Sequence, residues 1–276
     1  MSISIVILTL NEEKNLLGCL ESISWCKDIV VFDSFSVDKT VDIAKSFGAR
    51  LIQRQFDNYA SQRNAALTDV KYTHPWIFML DADERITPEL KKEIQSICNK
   101  KESDISLYYI RRKDIFLGRW LKHSSGYPTW FGRLQKIGEV RVEREINEEY
   151  HTSGKTAHIE QHMLHYPFNK GISHWFDRHN HYSSMEAATL INETSGNIKI
   201  SNLFSSNPIE KRKAFKQLAY RLPFRPLLTF IYLYFFRLGF LDRIPGLTYC
   251  TLRSIYEYMI DLKIKEIKRK NNDLPF

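Results

Sequence analysis

The first hundred residues alternate two hydrophobic rhythms. Ile3 to Leu8 is a short run rich in β-branched residues, and beyond Asn11 the apolar positions Leu16, Leu20 and Ile23 recur at helical spacing, so a strand and an Asn11-capped helix are predicted. Asp28 to Asp33 reads as a second strand, followed by a helix with Val41, Ala44 and Phe47 on one side and a stop at Gly48. A third strand over Ala49 to Gln53, a helix over Ser61 to Val70 and a fourth strand over Trp76 to Leu80 continue the series. Thr87-Pro88-Glu89 supplies an N-cap, a first-turn proline and an early acid, which start a helix near residue 88. A β-α-β-α rhythm of this kind predicts an α/β fold, a mostly parallel sheet with helices on both faces.

The pattern then changes. Leu107 to Ile110, Trp130 to Ile137 and Val140 to Ile146 read as strands between polar turns, a small mixed or antiparallel β element completing the sheet, and helical patterns dominate from Asn169 onward. The expected organisation is a catalytic domain over residues 1–200 and a helical C-terminal extension over residues 201–276.

Composition sharpens this picture in three places. With 43% apolar residues over 276 positions the chain can bury a real core. Cys19, Cys26, Cys98 and Cys250 show no paired spacing, and the N-terminus lacks a basic leader, so a cytoplasmic protein with free thiols is expected. The net charge of +8 lies entirely in the extension: residues 1–200 hold 26 basic and 26 acidic side chains, whereas residues 201–276 hold 14 and 6.

That extension also contains Leu227 to Phe236, ten residues without a charge, flanked by Arg225 and Arg237. As a helix it would reach about 15 Å, half of a hydrocarbon core of about 30 Å. An interfacial helix drawn to anionic lipid fits it, and the alternative is a helix packed on the catalytic domain or on a second subunit, as in a homo-oligomer.

Candidate chemistry concentrates at Asp81-Ala82-Asp83-Glu84, which closes the fourth strand. Carboxylates beyond the carboxyl end of a strand in an open α/β sheet lie where such sheets bind ligands, and two of them one residue apart suit Mg²⁺ or Mn²⁺ shared with a phosphate. Read alone, the same residues could be an acidic solvated turn. The first strand-to-helix turn, Thr9-Leu10-Asn11-Glu12-Glu13-Lys14, has no glycine to admit a pyrophosphate, which argues against a dinucleotide-binding domain.

With these pieces placed, the chain resembles the family 2 nucleotide-sugar glycosyltransferases of GT-A fold, in particular the bacterial lipopolysaccharide-core β-glucosyltransferase branch. The resemblance rests on Ile7-Leu8-Thr9-Leu10-Asn11-Glu12, on Asp33-Ser34-Phe35-Ser36-Val37-Asp38-Lys39-Thr40, on Gln62-Arg63-Asn64 and on Asp81-Ala82-Asp83-Glu84. Asn147-Glu148, His165-Tyr166-Pro167 and the Pro/Arg-rich tail extend it. It implies that Thr9, Glu12 and Asp33 hold the nucleotide and that Arg63 lies near the diphosphate or nucleobase, while Arg63 read alone equally fits an ion pair on a helix surface. Asp81 would contact the sugar or ribose side and reach the ion directly or through water, Asp83 would bind the metal, and His165 is either a further ligand or a structural histidine. An inverting transfer needs a general base for the acceptor hydroxyl. The resemblance implies Glu148 in that role, with Glu145 and Glu149 as alternatives, although Asn147 stands where the branch usually has histidine.

The implied activity moves a hexose such as glucose from a UDP-linked donor to a lipid-anchored glycan at the inner face of the cytoplasmic membrane. A nucleotidyltransferase making a sugar nucleotide lacks its glycine-rich turn here, and the neutral first 200 residues argue against nucleic acid while leaving a non-catalytic peripheral membrane module as a rival. Eight of nine histidines fall between residues 123 and 181, but His158, His162 and His165 lack the H-E-x-x-H order of a helical zinc site. His174, Trp175, His179 and Tyr182 recur at helical spacing, as an acceptor wall or a core face.

Overall fold

A computed structural model describes residues 3–100, 103–143, 149–194 and 223–275 of the chain. Among them the order is β1 (Ile3–Thr9), α1 (Leu16–Ser22), β2 (Ile29–Asp33), α2 (Thr40–Ser46), β3 (Arg50–Gln53), α3 (Tyr59–Thr68), β4 (Trp76–Asp81), β5 (Glu84–Ile86) and α4 (Pro88–Cys98). Then come β6 (Ile105–Phe116), β7 (Arg119–Trp120), β8 (Trp130–Lys136), β9 (Val140–Glu143), β10 (Glu149–Thr152), β11 (Lys155–His165) and α5 (Ile172–Thr194). The last described elements are α6 (Arg225–Ile231), a π turn (Tyr232–Phe236), a 3₁₀ turn (Gly239–Asp242) and α7 (Arg243–Lys270).

The chain divides into two compact units, one of residues 1–120 and 127–170, the other of residues 121–126 and 171–276. The boundary expected near residue 200 lies outside the described residues.

In the first unit the strands run β3-β2-β1-β4-β8-β6-β11-β5, with β7 beside β6. The first four are mutually parallel, β8 is antiparallel to both neighbours, β6 and β11 are parallel, and β5 returns antiparallel on β11. This is the α/β architecture read from the sequence.

Period-2 alternation in the strands builds its two covered faces. Ile3, Ile5, Ile7, Val31, Phe78 and Leu80 point to one core with Leu16 and Leu20 of α1, Ala44 of α2 and Leu90 and Ile94 of α4. Val6, Val30, Phe32, Ile77 and Met79 point to the other, with Ala65 and Ala66 of α3 and Val142 of the separate β9–β10 ribbon. Thr87 caps α4 as expected, its Oγ1 accepting from Leu90 N at 3.2 Å.

One local expectation fails. Asn11 does not cap α1, whose N-cap position is Asn15. Asn11 instead takes a left-handed φ of 54° and its side chain accepts from Val37 N at 2.9 Å, because the loop has a better use for that acceptor.

The amino end of the sheet carries a stability device far along the strands from the acidic turn. Asp28 is buried and accepts from Ser4 Oγ at 2.5 Å, from Thr73 N at 2.9 Å and Oγ1 at 2.8 Å, and from Arg50 Nη2 at 2.7 Å. Burial alone would raise its pKa, but these donors outweigh it and bring the carboxyl down to about 2. A pKa lowered on folding stabilises the protein above the unfolded value of about 3.9 and loses that contribution as pH falls through the folded value. Wild type is therefore expected to lose about 2 kcal/mol more than Asp28→Asn between pH 4 and pH 2 in urea unfolding. Parallel losses in the two proteins would refute this account.

In the second unit α5 packs on α7 through Ala187, Leu190 and Ile260. Trp175 is buried under His179, the rings stacked 3.7 Å apart, and Tyr256 meets His179 edge-on at 5.1 Å. These residues form a core face of the helix pair, and burial pulls the His179 pKa down to about 4.

Candidate active site

Strand register brings the candidate residues into line. Leu8 pairs with both Phe32 and Asp81, and Thr9 pairs with Asp33, so Thr9, Asp33 and Asp81 end three adjacent parallel strands at one edge of the sheet.

The two polar loops that leave β1 and β2 are laced to each other. Asn11 N donates to Ser36 Oγ at 2.8 Å, Glu12 N to Thr40 Oγ1 at 2.7 Å, and Glu13 N to Asp38 Oδ2 at 3.1 Å. Asp33 is the buried hub beneath them. Its carboxylate accepts from Thr9 Oγ1 (2.8 Å), Ser36 N (2.9 Å), Ser36 Oγ (2.5 Å) and Gln53 Nε2 (3.0 Å). In this conformation Asp33 and Thr9 shape the loops, and the acceptor positions of the carboxylate are used within the chain.

Gln62-Arg63-Asn64 on α3 reaches three places at once. Gln62 Nε2 donates to Ser34 Oγ at 2.9 Å, Arg63 Nη2 to Asp81 Oδ1 at 2.9 Å, and Asn64 exchanges bonds of 2.7 and 2.8 Å with the backbone of Val142 in β9. Arg63 is buried, so it is part of the acidic turn and not a surface ion pair.

Within that turn, Asp81 is clamped between two guanidinium groups, the second being Arg133 of β8, whose Nη2 lies 2.6 Å from Asp81 Oδ2 and 2.7 Å from Glu84 Oε1. Desolvation pushes the Asp81 carboxyl up, but Arg133 and Arg63 overcome it and hold it well below the usual range. Glu84, fully buried, is pushed above its usual range by desolvation despite Arg133. It also accepts from Asp81 N at 3.0 Å, which fixes the turn.

Arg85 pins the turn from outside, donating to the carbonyls of Ala82, Glu84 and Asn15 at 2.7–2.8 Å. Gly18 exists to admit it, since a Cβ there would lie 2.9 Å from the Arg85 guanidinium.

The residue that completes the site comes from far along the chain. Antiparallel pairing of β5 with β11 sets His165 opposite Glu84, and parallel pairing of β11 with β6 sets it beside Asp114. His165 Nε2 then lies 3.3 Å from Asp83 Oδ2 and Nδ1 lies 2.7 Å from Asp114 Oδ1. Burial and Arg112 push the histidine down, yet the two carboxylates prevail and raise its pKa to about 9. Burial raises the Asp83 carboxyl, and His165 more than offsets this, leaving it below the usual range.

Close by, Lys170 Nζ meets Glu12 Oε1 at 2.6 Å. Burial lifts the Glu12 carboxyl, Lys170 and Asn15 oppose that, and the field of Asp83 adds to the lift, which ties the first loop to the acidic turn.

Asp114, Arg112, Arg133 and Lys170 escaped the sequence reading. Arg112 Nε lies 3.2 Å from Asp114 Oδ1 and its Nη1 3.8 Å from Glu84 Oε1. The alternation of Tyr108, Ile110, Arg112 and Asp114 on one face of β6 was the available signal, but only pairing with β8 and β11 tells which face that is.

Among the described residues no group of three or more His, Cys, Asp or Glu is placed to hold a metal ion by itself. The donors present nonetheless fit a hard divalent cation that shares its sphere with a substrate phosphate. Asp83 offers a carboxylate oxygen, His165 would offer an imidazole nitrogen once an arriving cation displaces its Nε2 proton, and Asp114 stands behind the imidazole as the outer-shell carboxylate that orients such ligands. The other histidines of β11 face elsewhere: His162 Nε2 pairs with Tyr127 Oη at 2.5 Å, and the Trp130 ring meets His158 edge-on at 4.4 Å.

Glu145 and Glu148 lie outside the described residues, and Glu149 is exposed at the start of β10.

The family model that matches this chain is described as glycosyl transferase family 2 and covers residues 4–163. An uncharacterized glycosyltransferase of Rickettsia bellii is 37% identical over 108 residues, 39% of this chain and 36% of that protein. The matched stretch thus spans about a third of that relative, and the same 36% holds for a Rickettsia typhi counterpart. The lipopolysaccharide core biosynthesis glycosyltransferase LpsC of Rhizobium meliloti is 31% identical over 41% of this chain and 43% of its own length. Among solved structures, glucosyl-3-phosphoglycerate synthase of Mycobacterium tuberculosis, in complex with Mn²⁺, UDP-glucose and phosphoglyceric acid, aligns at 20% identity over 41% of this chain and 44% of its own. Its TM-score is 0.35, too low to bear on fold or function.

Proposed function

The chain belongs to glycosyl transferase family 2, and from that premise we propose that it is an inverting hexosyltransferase. It moves a sugar such as glucose from a UDP-linked donor to a lipid-anchored glycan of the lipopolysaccharide-core kind, working at the inner face of the cytoplasmic membrane. The observation that carries this reading is the meeting of Asp83 and His165, backed by Asp114, at the strand ends where Asp81 and the two laced loops also converge. The likeness to LpsC supports the acceptor class.

The residues take roles that follow from their environments. Thr9 and Asp33 hold the loop that a nucleoside meets, and a ribose hydroxyl can replace one of the intrachain donors on the Asp33 carboxylate. Arg63 and Arg133 keep Asp81 ionised, so it remains an acceptor for donor hydroxyls. Asp83 and His165 would hold Mg²⁺ or Mn²⁺, which when bound neutralises the diphosphate as it leaves. Asp114 orients the imidazole. Glu148 removes the proton from the acceptor hydroxyl.

Calorimetric titration with UDP, GDP, CDP and ADP, each with Mn²⁺ and with EDTA, tests the reading. UDP is expected to bind at least about tenfold more tightly with Mn²⁺ than with EDTA, a difference of about 1.4 kcal/mol. Metal-independent binding would remove the role given to Asp83 and His165, and tighter binding of another diphosphate would change the donor.

A further inference from the structure

In the second unit the apolar surface is turned outward at one place. Eleven of the 24 exposed large apolar side chains of the described residues fall between Phe224 and Leu247, with Phe224 at 78%, Phe236 at 76% and Ile244 at 73% exposure. They line α6, the π turn, the 3₁₀ turn and the start of α7.

This stretch is tightly constructed. Phe224, Leu238 and Arg243 hold left-handed φ values of 56°, 60° and 59° at its corners. The chain folds so closely that a Cβ on Gly246 would stand 2.2 Å from the Gly239 carbonyl oxygen, and one on Gly239 would stand 2.6 Å from that of Leu233. Arg225, buried, ties α6 to α7 through Glu257 Oε2 and Asp261 Oδ1, both at 3.1 Å. A hairpin anchored this firmly exposes its aromatic side chains by design of the fold.

Charge selects the occupant. From Pro223 to Tyr256 the sequence has four arginines and a single acid, Asp242. That acid is buried, accepting from Lys122 N at 3.2 Å, His123 N at 2.9 Å, and Ser124 N and Oγ at 2.9 and 2.8 Å. The stretch therefore presents aromatic and aliphatic side chains with the exposed Arg243 and the half-buried Arg237, and none of its own carboxylates is exposed. Aromatic rings that enter the headgroup boundary beside arginines match an anionic lipid leaflet. A twofold pairing of the same patch with a second copy would instead set two acid-free basic faces against each other.

Length fixes the depth. Arg225 to Phe236 as a helix spans about 18 Å against a hydrocarbon core of about 30 Å, and no helix among the described residues is long and apolar enough to cross a membrane.

We propose that the hairpin from Phe224 to Leu247 is a monotopic anchor that seats its aromatic tip in one leaflet of an anionic bilayer. The inference rests on the reading that the acceptor is lipid-anchored, and it gives that acceptor's membrane a defined binding surface.

The test uses the full chain with phosphatidylglycerol-containing vesicles and with pure phosphatidylcholine vesicles, at 0.1 and at about 0.5 M salt, where screening removes most surface attraction. Wild type is expected to bind the anionic vesicles and to retain a large part of that binding at high salt. Phe236→Asp/Ile244→Asp is expected to weaken binding more than tenfold while Mn²⁺-dependent UDP binding is unchanged. Because the four native cysteines are buried, a polarity-sensitive dye on Phe236→Cys reports insertion directly, even if the aspartate variant fails to fold. It should shift to the blue with vesicles, and the same dye on exposed Lys155→Cys should not.

Equal vesicle binding by wild type and the aspartate variant, or no dye shift at 236, overturns the anchor. So does a wild-type dimer that the aspartate substitutions dissociate while vesicles go unbound, which assigns the patch to a second copy. UDP binding is read independently, so loss of nucleotide binding alone refutes the transferase reading and leaves the anchor standing.

Discussion

Asp83→Ala is expected to lower sugar transfer by about three orders of magnitude, equivalent to about 4 kcal/mol of transition-state stabilisation, with a smaller loss of folding stability because the buried His165 keeps Asp114 at 2.7 Å. The two effects separate because Asp83 contributes differently through side chain and backbone. Its carbonyl accepts from Tyr166 N at 2.9 Å, a bond that alanine keeps, so the β5–β11 junction survives. Its carboxylate is the group facing His165 Nε2 at 3.3 Å, and removing it leaves the imidazole as the remaining donor of the pair. Donor binding should then become equal in Mn²⁺ and EDTA. Asp114→Ala should fall between this variant and wild type, with metal affinity weakened by about 10- to 100-fold, because it loosens the imidazole without removing a ligand. Wild-type turnover by Asp83→Ala, or donor binding that still responds to Mn²⁺, would show the acidic turn to be structural.

Arg133→Met is expected to cost about 3–5 kcal/mol of folding stability at pH 7, the usual range when one partner of a buried ion pair is removed. Arg133 is 1% exposed and its Nη2 serves both Asp81 and Glu84. Methionine fills part of the volume but leaves the fully buried Glu84 carboxylate with the more distant Arg112 Nη1 at 3.8 Å. Asp81 keeps Arg63 and suffers less.

The sign with pH follows from Glu84. Its folded pKa already lies above the ordinary value through desolvation, and loss of Arg133 raises it further. A raised carboxylate destabilises the fold where it must ionise, so the deficit of Arg133→Met should shrink as pH falls from 7 toward 5. Adding Glu84→Gln removes that buried charge and should recover about half of the loss without restoring transfer, since Asp81 is still left with one guanidinium. Urea unfolding of the single and double variants at both pH values checks this. A single variant within about 1 kcal/mol of wild type at pH 7 would mean that water or another group compensates the charge.

The parts of this site legible in the sequence were those held together by local order. Asp81 and Asp83 follow a strand that its own apolar run announces, and Thr9 and Asp33 end strands of the same kind. Their alignment across the sheet follows from the parallel β-α-β rhythm. The division of labour among them was not legible. Asp33 reads as a ligand group along the chain, yet in the structure four intrachain donors occupy its carboxylate. Arg63 reads equally as a surface residue or a phosphate contact, and its burial against Asp81 depends on how α3 rotates over the sheet.

His165 illustrates the limit most plainly. Its sequence neighbours give no helical or metal-site spacing, and its meeting with Asp83 requires β5 to return antiparallel on β11, a pairing across some 80 positions that no local pattern encodes. The same holds for Asp114 and Arg133, which arrive on strands whose order in the sheet is set by packing and hydrogen bonding between distant segments.

In the C-terminal region the sequence determined that an uncharged aromatic stretch too short to span a bilayer lies among arginines, because composition and length are properties of the chain itself. Tertiary structure decided that these side chains face outward and that Asp242 is spent on the Lys122–Ser124 backbone, because exposure and hydrogen bonding are set by what packs against what. Likewise the sequence determined an α/β sheet with carboxylates at one edge, through periodicity and strand ends. Only the fold decided which of those carboxylates meet a histidine, which meet arginines and which are consumed in holding loops.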